Sequence, residues 1–228
     1  MSRVLDVVRM HLLVKLTFVT LPLIILGGAF ALSLAVFAVI PSDGVKIAGS
    51  GQAPLWYFLS VGVMAQARTF PFSQAMSITR RDFFLGTMLT GLLSSGVLAA
   101  VFVVLGLIEN ATNGWGMNGR MYFLDDFGGG NAAVAFVSYL VVAMLAFTAG
   151  LMFATIYKRF KVLGLWAAIA GLLVALLVAI FAITKTQSWP SVGDFLTNAG
   201  PLTLAAIGAV VVALVGFADY LILRRTQP

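Results

Sequence analysis

Thr79, Arg80, Arg81 and Asp82 stand in a row within the stretch "PFSQAMSITRRDFFLG", Pro71 to Gly86, and carry the densest chemistry in an otherwise apolar chain. A hydroxyl three residues before a carboxylate is the spacing of a capping box. Thr79 accepts from the N–H of Asp82, and the Asp82 carboxylate reaches back to the N–H of Thr79. A negative charge at a helix start is also favoured by the helix dipole. The two arginines add donors suited to carboxylates or phosphates. Elsewhere reactive groups are sparse. The chain has no cysteine, so it has no disulfide, thiolate metal site or cysteine nucleophile. Its single histidine, His11, cannot form an imidazole cluster. Serines with one distant histidine make no triad, and Asp125-Asp126 beside Gly128-Gly129-Gly130 is only a faint calcium signal. An intramembrane enzyme is not indicated. Asp219 is the one ionisable candidate inside an apolar run; it lies five or six residues from Arg224 and Arg225 and is expected to snorkel or pair with them. The scarcity of buried carboxylates argues against a proton-coupled carrier.

The elements that must position these residues are membrane-spanning helices. Of 228 residues, 61% are hydrophobic and 10% charged, with a mean hydropathy of +1.05. Such a composition argues for an all-α integral membrane protein. Six apolar segments can be drawn, at 16–40, 54–67, 83–108, 133–157, 163–184 and 201–223, within one domain covering 1–228. The first is too long for a signal-peptide core and is expected to be retained, with a kink at Pro22. The second is short, and its flanks are expected to complete it in the interface.

Basic residues set the orientation. Arg3, Arg9, Lys15, Arg68, Arg80, Arg81, Lys158, Arg159, Lys161, Arg224 and Arg225 fall on one side, and Lys46, Arg120 and Lys185 on the other. Eleven against three is a strong positive-inside bias. It predicts an even number of spans in the cytoplasmic membrane with both termini cytoplasmic. Charges placed between apolar runs also exclude a nucleic-acid partner, despite the formal charge of +6.

Residues 1–15 read as an amphipathic interfacial helix. Val4, Leu5, Val8 and Leu12 share one face, turned to lipid, and Arg3, Asp6 and Arg9 share the other. The competing reading is an extension of the first span into water. On the outer side, Glu109 to Asn131 is the long hydrophilic connection, sized for a small cap, and Val192 to Thr197 suggests a short re-entrant helix. Ala146, Gly150 and Ala154 form a small-residue stripe open to intramolecular or dimer packing. Gly86, Gly91 and Gly96 line no single face and receive no role.

The order of a short span, "FSQAMSITRRDFFLG" and a long Gly/Ala-rich span resembles the ABC-2-type permease subunits of ABC transporters, and the likeness extends over nearly the whole chain. The resemblance implies a short cytoplasmic coupling helix between spans 2 and 3, Phe72 to Ser77, seated in a groove of a separate ATPase. Phe72, Ser73, Gln74, Met76, Thr79, Arg80, Arg81 and Asp82 would then be the coupling residues. Lys158, Arg159 and Lys161 read first as a positive-inside turn, with a second ATPase contact or an anionic-lipid site as the alternative. The chain carries no phosphate-binding G-x-x-x-x-G-K-[ST] loop, so ATP and Mg belong to the partner ATPase, and no cofactor is expected in this chain. A second copy or a related permease is implied, joined side by side through the first and fifth spans. The resulting expectation is an ABC exporter permease for a hydrophobic or amphipathic substrate. The alternative is a membrane interaction or immunity protein that binds a toxic peptide without transport.

Overall fold

The computed structural model describes residues 3–13, 16–41 and 44–225. Lys15 and the extremes of the 1–15 segment lie outside them. Among the described residues the chain is all-α apart from one two-residue parallel pairing, and four helices are long and apolar enough to cross a membrane: Thr17–Val39, Arg80–Ala111, Ala132–Lys185 and Pro201–Leu223. That is compatible with a membrane protein.

In chain order the helices are α1 (Arg3–Leu13), α2 (Leu21–Val39), α3 (Ala53–Met64), α4 (Phe70–Ala75), α5 (Arg80–Ala111), α6 (Leu124–Gly128), α7 (Ala132–Lys185), α8 (Trp189–Asn198) and α9 (Pro201–Leu223). Pro22 sits in the first turn of α2, directly after a π-helical turn, Leu16–Thr20, a local change of the hydrogen-bond ladder where a missing N–H is accommodated. A second π turn, Ala65–Thr69, joins α3 to α4, so the chain stays helical from Ala53 to Ala75. The short α8 covers and extends the expected 192–197 helix.

Helix α7 has 54 residues, about 80 Å of α-helix and far more than a roughly 30 Å hydrocarbon core needs. It is broken at Lys161, whose φ of 61° and ψ of −159° are not helical. The two limbs, 132–160 and 162–185, match the expected fourth and fifth segments. The first limb is the centre of the packing. A Cβ at Gly62 would run into the Phe147 carbonyl, and one at Gly150 into the Leu59 carbonyl. These glycines therefore let α3 and α7 meet backbone to backbone, which assigns the Ala146–Gly150–Ala154 stripe to packing within the chain. Gly91 lies under the Phe147 ring, and Gly86 lies under Val7 of α1, so two of the three α5 glycines do have packing roles.

The contacts fix directions. Gly62 meets Phe147 and Leu151 while Phe70 lies under Lys158, so α3–α4 and the first limb of α7 run parallel. Gly208 meets Val141 and Arg159 meets Ile222, so α9 is parallel to both. Helix α5 opposes them, with Gly91 at Phe147 and Phe102 at Tyr139. Gly129 touches Pro201. Limb 162–185 must therefore carry the chain back from one end of the bundle to the other. Every residue from 170 to 182 is exposed in the single chain.

Helix α1 does not simply lay its apolar side on lipid. Val7, Val8 and His11 are buried, Leu5 is exposed, and the buried face packs on α5. The apolar arc is rotated toward His11 because Gly86 offers a notch there.

Candidate functional site

The stretch singled out in the sequence forms the end of one helical rod and the start of the next. Helix α4 covers Phe70–Ala75, earlier than the expected Phe72 to Ser77, and is continuous with α3 rather than freestanding. The π turn places Pro71 in the first turn of α4, where a proline is tolerated. Ser77, at φ 58°, then turns the chain left-handed. Its N–H donates to the Gln74 carbonyl at 3.0 Å, and the Ile78 N–H to the Ser73 carbonyl at 3.1 Å. That pair of bonds is a Schellman motif, with serine where glycine is usual. Gln74 Nε2 also donates to the Ile78 carbonyl at 3.2 Å.

One residue later α5 begins. The Asp82 N–H donates to Thr79 Oγ1 at 3.1 Å, as expected. The return bond differs: the Thr79 hydroxyl donates to Asp82 Oδ2 at 2.7 Å, so the carboxylate is held by the hydroxyl rather than by the Thr79 N–H. Helix end and helix start are thus bonded within six residues, and the turn between them is stiff.

This turn divides the predicted residues into three groups. Ser73 is buried and donates to the Phe70 carbonyl at 2.7 Å, and Gln74 closes the turn. Phe72 and Met76 face outward, 56% and 59% exposed. Phe70, which the sequence reading did not select, is the inward anchor, packed with Val7, Phe83 and Leu223. Arg81 is exposed, whereas Arg80 donates through Nη1 to the Arg224 carbonyl. Arg80 therefore clamps the end of α9 through one of its five N–H donors, and the others are left for a further acceptor.

The second predicted cluster meets the first. Lys158 Nζ sits 4.9 Å over the Phe70 ring, and Arg159 Nη1 donates to the Ile222 carbonyl at 3.4 Å. Lys161 is exposed at the helix break. Arg80 and Arg159 thus satisfy carbonyls at the C-terminus of α9, where positive charge is favoured. Residues from three distant segments converge on one basic end.

The sequence reading misjudged Asp219 and passed over Glu109 and His11. Asp219 is 2% exposed. It neither snorkels nor pairs with Arg224 or Arg225; Thr155 lies beside it without completing a hydrogen bond. Glu109 is 3% exposed at the opposite end. It accepts from the N–H of Met121 at 2.8 Å, the N–H of Tyr122 at 3.3 Å and Trp115 Nε1 at 3.3 Å. The chain therefore does bury carboxylates, and their absence no longer argues against a proton-coupled carrier. Burial, reinforced by the Glu109 charge, pushes the Tyr122 phenol above the usual range. His11 is fully buried, with Nε2 sharing a hydrogen bond of 3.2 Å with Thr87 Oγ1 and Phe18 and Phe83 stacked around it. Desolvation lowers its pKa to about 4. Its place three residues after Val8 and seven after Val4 was the available signal. Among the described residues no group of three His, Asp or Glu side chains converges as a metal site requires.

No family model matches the chain, and no curated protein or solved structure matches it either.

Proposed function

We propose that the chain is the transmembrane permease subunit of an ABC exporter, with six membrane spans, both termini cytoplasmic and ATP hydrolysis supplied by a separate ATPase. It would move a hydrophobic or amphipathic compound outward. The observation that carries the reading is the outward pair Phe72 and Met76 on a stiff turn at the basic end. A push received there is delivered to α3–α4 and to α5 together, because the turn is bonded on both sides and Phe70 and Phe83 lock it to the bundle at 5.2 Å between rings. Arg81 and Lys161 flank the pair with positive charge suited to an acidic groove rim. In this reading the spans are α2, the continuous α3–α4 segment, α5, the two limbs of α7 and α9. The exposed 170–182 stretch supports a second subunit, since a helix open on every side in one chain has room for a partner in a dimer.

The test is co-purification of the partner ATPase with a Phe72→Ala/Met76→Ala variant. Losing both side chains from a groove is worth about 3 kcal/mol, on the order of a hundredfold in affinity. Membrane insertion should be unchanged. Wild-type recovery of the ATPase, with unchanged substrate-stimulated hydrolysis, would leave the stretch as a capped turn only.

The interaction-protein reading draws on a different feature, the polar cleft of about 420 Å³ lined by Asn110, Asn113, Arg120 and Asp125 at the other end. Peptide binding there without any ATPase dependence would favour it.

A further inference from the structure

A second cleft, of about 320 Å³, opens at the basic end between the close of the first α7 limb and the last turn of α9. Its walls are Arg159, Phe160, Leu221, Ile222, Arg224 and Arg225. Among the described residues three arginines line it, and no Asp or Glu does. The nearest acid on α9, Asp219, lies one turn deeper beside Thr155. The other nearby acid, Asp82, is held by Thr79.

The cleft is built rather than incidental. Arg159 is fixed twice, by its bond to the Ile222 carbonyl at 3.4 Å and by stacking 5.0 Å over the Phe160 ring. A guanidinium has five N–H donors, so one bond leaves donors for a ligand. Arg80 pins the Arg224 carbonyl from the far side. Three like charges around a small opening, one of them fixed at Arg159, repel one another, and an anion is the group that relieves them. The anion must also tolerate hydrocarbon, because Phe160 and Leu221 are exposed on the same wall. The cleft sits where the apolar run Pro201–Leu223 gives way to arginines, which is the level at which acyl chains meet headgroups.

We propose that this cleft binds the phosphate of an anionic phospholipid, with the guanidinium groups of Arg159, Arg224 and Arg225 on the headgroup and the acyl chains leaving past Phe160 and Leu221. The inference rests only on the membrane embedding of the permease reading and not on the ATPase. A zwitterionic headgroup fits less well, since its cationic end would enter the same field.

Native mass spectrometry of the full chain, extracted from membranes in mild detergent, tests this with phosphatidylglycerol, phosphatidylcholine and sn-glycerol 3-phosphate as separate probes. Wild type should retain phosphatidylglycerol over phosphatidylcholine. Each arginine replaced by glutamine should weaken it about fivefold. Arg225→Gln comes first, because Arg225 is exposed and is the change least able to disturb folding; the Arg159→Gln/Arg224→Gln/Arg225→Gln variant follows. Arg159→Lys should lose part of the affinity. Lys161→Gln removes a charge at the same end but outside the cleft, and should leave phosphatidylglycerol retention at the wild-type level. Equal loss in Lys161→Gln and Arg225→Gln would reduce the effect to general surface charge and overturn the site. Competition by glycerol phosphate as strong as that of the lipid would overturn the lipid assignment in favour of a soluble phosphate ester. Equal retention of the two lipids would overturn it outright. A chain recovered in the soluble fraction would sink the membrane reading itself, whereas loss of ATPase binding would leave the lipid result standing.

Discussion

The two ends of the bundle solve the same problem, an irregular connection leading into or out of α5, in opposite ways. At the basic end the turn from α4 to α5 is closed by local bonds among Ser73, Gln74, Ser77, Thr79 and Asp82. With its polar groups satisfied locally, it leaves Phe72 and Met76 outside. At the opposite end, the segment after α5 carries left-handed residues at Asn113, Trp115, Asn118 and Phe123 and adds a long-range acceptor to its local bonds. One buried carboxylate, Glu109, gathers the N–H groups of Met121, Tyr122 and Trp115 and draws the apolar side chains Met121, Tyr122 and Leu124 inward. A strand pairing of Lys46–Ile47 with Gly119–Arg120 ties the cap to the segment before α3. The first arrangement presents apolar surface, and the second seals it. This difference is why the proposed ATPase contact is placed at the basic end.

The comparison breaks most visibly if Glu109 is removed. Glu109→Ala leaves three N–H groups without their acceptor, each at about 1–3 kcal/mol when buried. A loss on the order of 5 kcal/mol is expected, and thermal unfolding in detergent should fall accordingly. Hydrogen exchange should rise across 113–123 and stay at wild-type levels across 70–82. A loss under about 1 kcal/mol would mean that aromatic packing, such as Phe102 against Tyr122 at 5.8 Å, holds the cap and the carboxylate is incidental.

A pH titration sharpens the contrast next, because the only histidine lies at the basic end. His11 is neutral while α1 is docked, with a pKa of about 4 against an ordinary 6.5. Undocking returns it to water and raises that pKa, so the undocked form binds more protons between these values. Docking is therefore strongest above pH 6.5 and weakens as pH falls toward 4, by about 3 kcal/mol in all. Hydrogen exchange of α1, corrected for intrinsic rate, should rise over that window while the outer cap does not change. His11→Phe should remove the dependence. A flat profile in wild type would show that the ring keeps water access and that burial does not control it.

Where the sequence reading held and where it failed follows from range. Thr79 and Asp82 are three residues apart, so their pairing was readable from spacing, and long apolar runs announced α5, α9 and both limbs of α7. The partners of His11 could not be read: Thr87 lies 76 positions away, and Gly86 becomes a notch only when α1 folds back onto it. Asp219 shows how proximity in sequence misleads. At 100° per residue Arg224 and Arg225 lie more than about 100° around α9 from it, so the helix turns the carboxylate toward Thr155 instead. Lys161 was visible as a charge but not as a break, since a positive φ at lysine has no composition signal. The π turns were equally silent, because they change which carbonyl an N–H meets without changing which residues are apolar.

The smallest expected effects lie within the turn itself, and they separate stiffness from surface. Thr79→Ala removes both the acceptor for the Asp82 N–H and the hydroxyl that holds the carboxylate, at about 1 kcal/mol for a lost N-cap. Ser77→Gly acts in the opposite sense. It relieves a left-handed serine, which costs roughly 1 kcal/mol relative to glycine at such a position, although glycine's greater freedom in the unfolded chain offsets part of that gain. Neither change alters the exposed Phe72 and Met76. If the turn transmits motion, Thr79→Ala should leave ATPase association intact and lower the yield of transport per ATP hydrolysed, because displacement is then absorbed by fraying at the start of α5. Ser77→Gly should keep that ratio at or slightly above wild type. The reading is sunk if Thr79→Ala loosens hydrogen exchange at 80–84 while transport per ATP stays at wild type, for the stiffness would then serve folding alone.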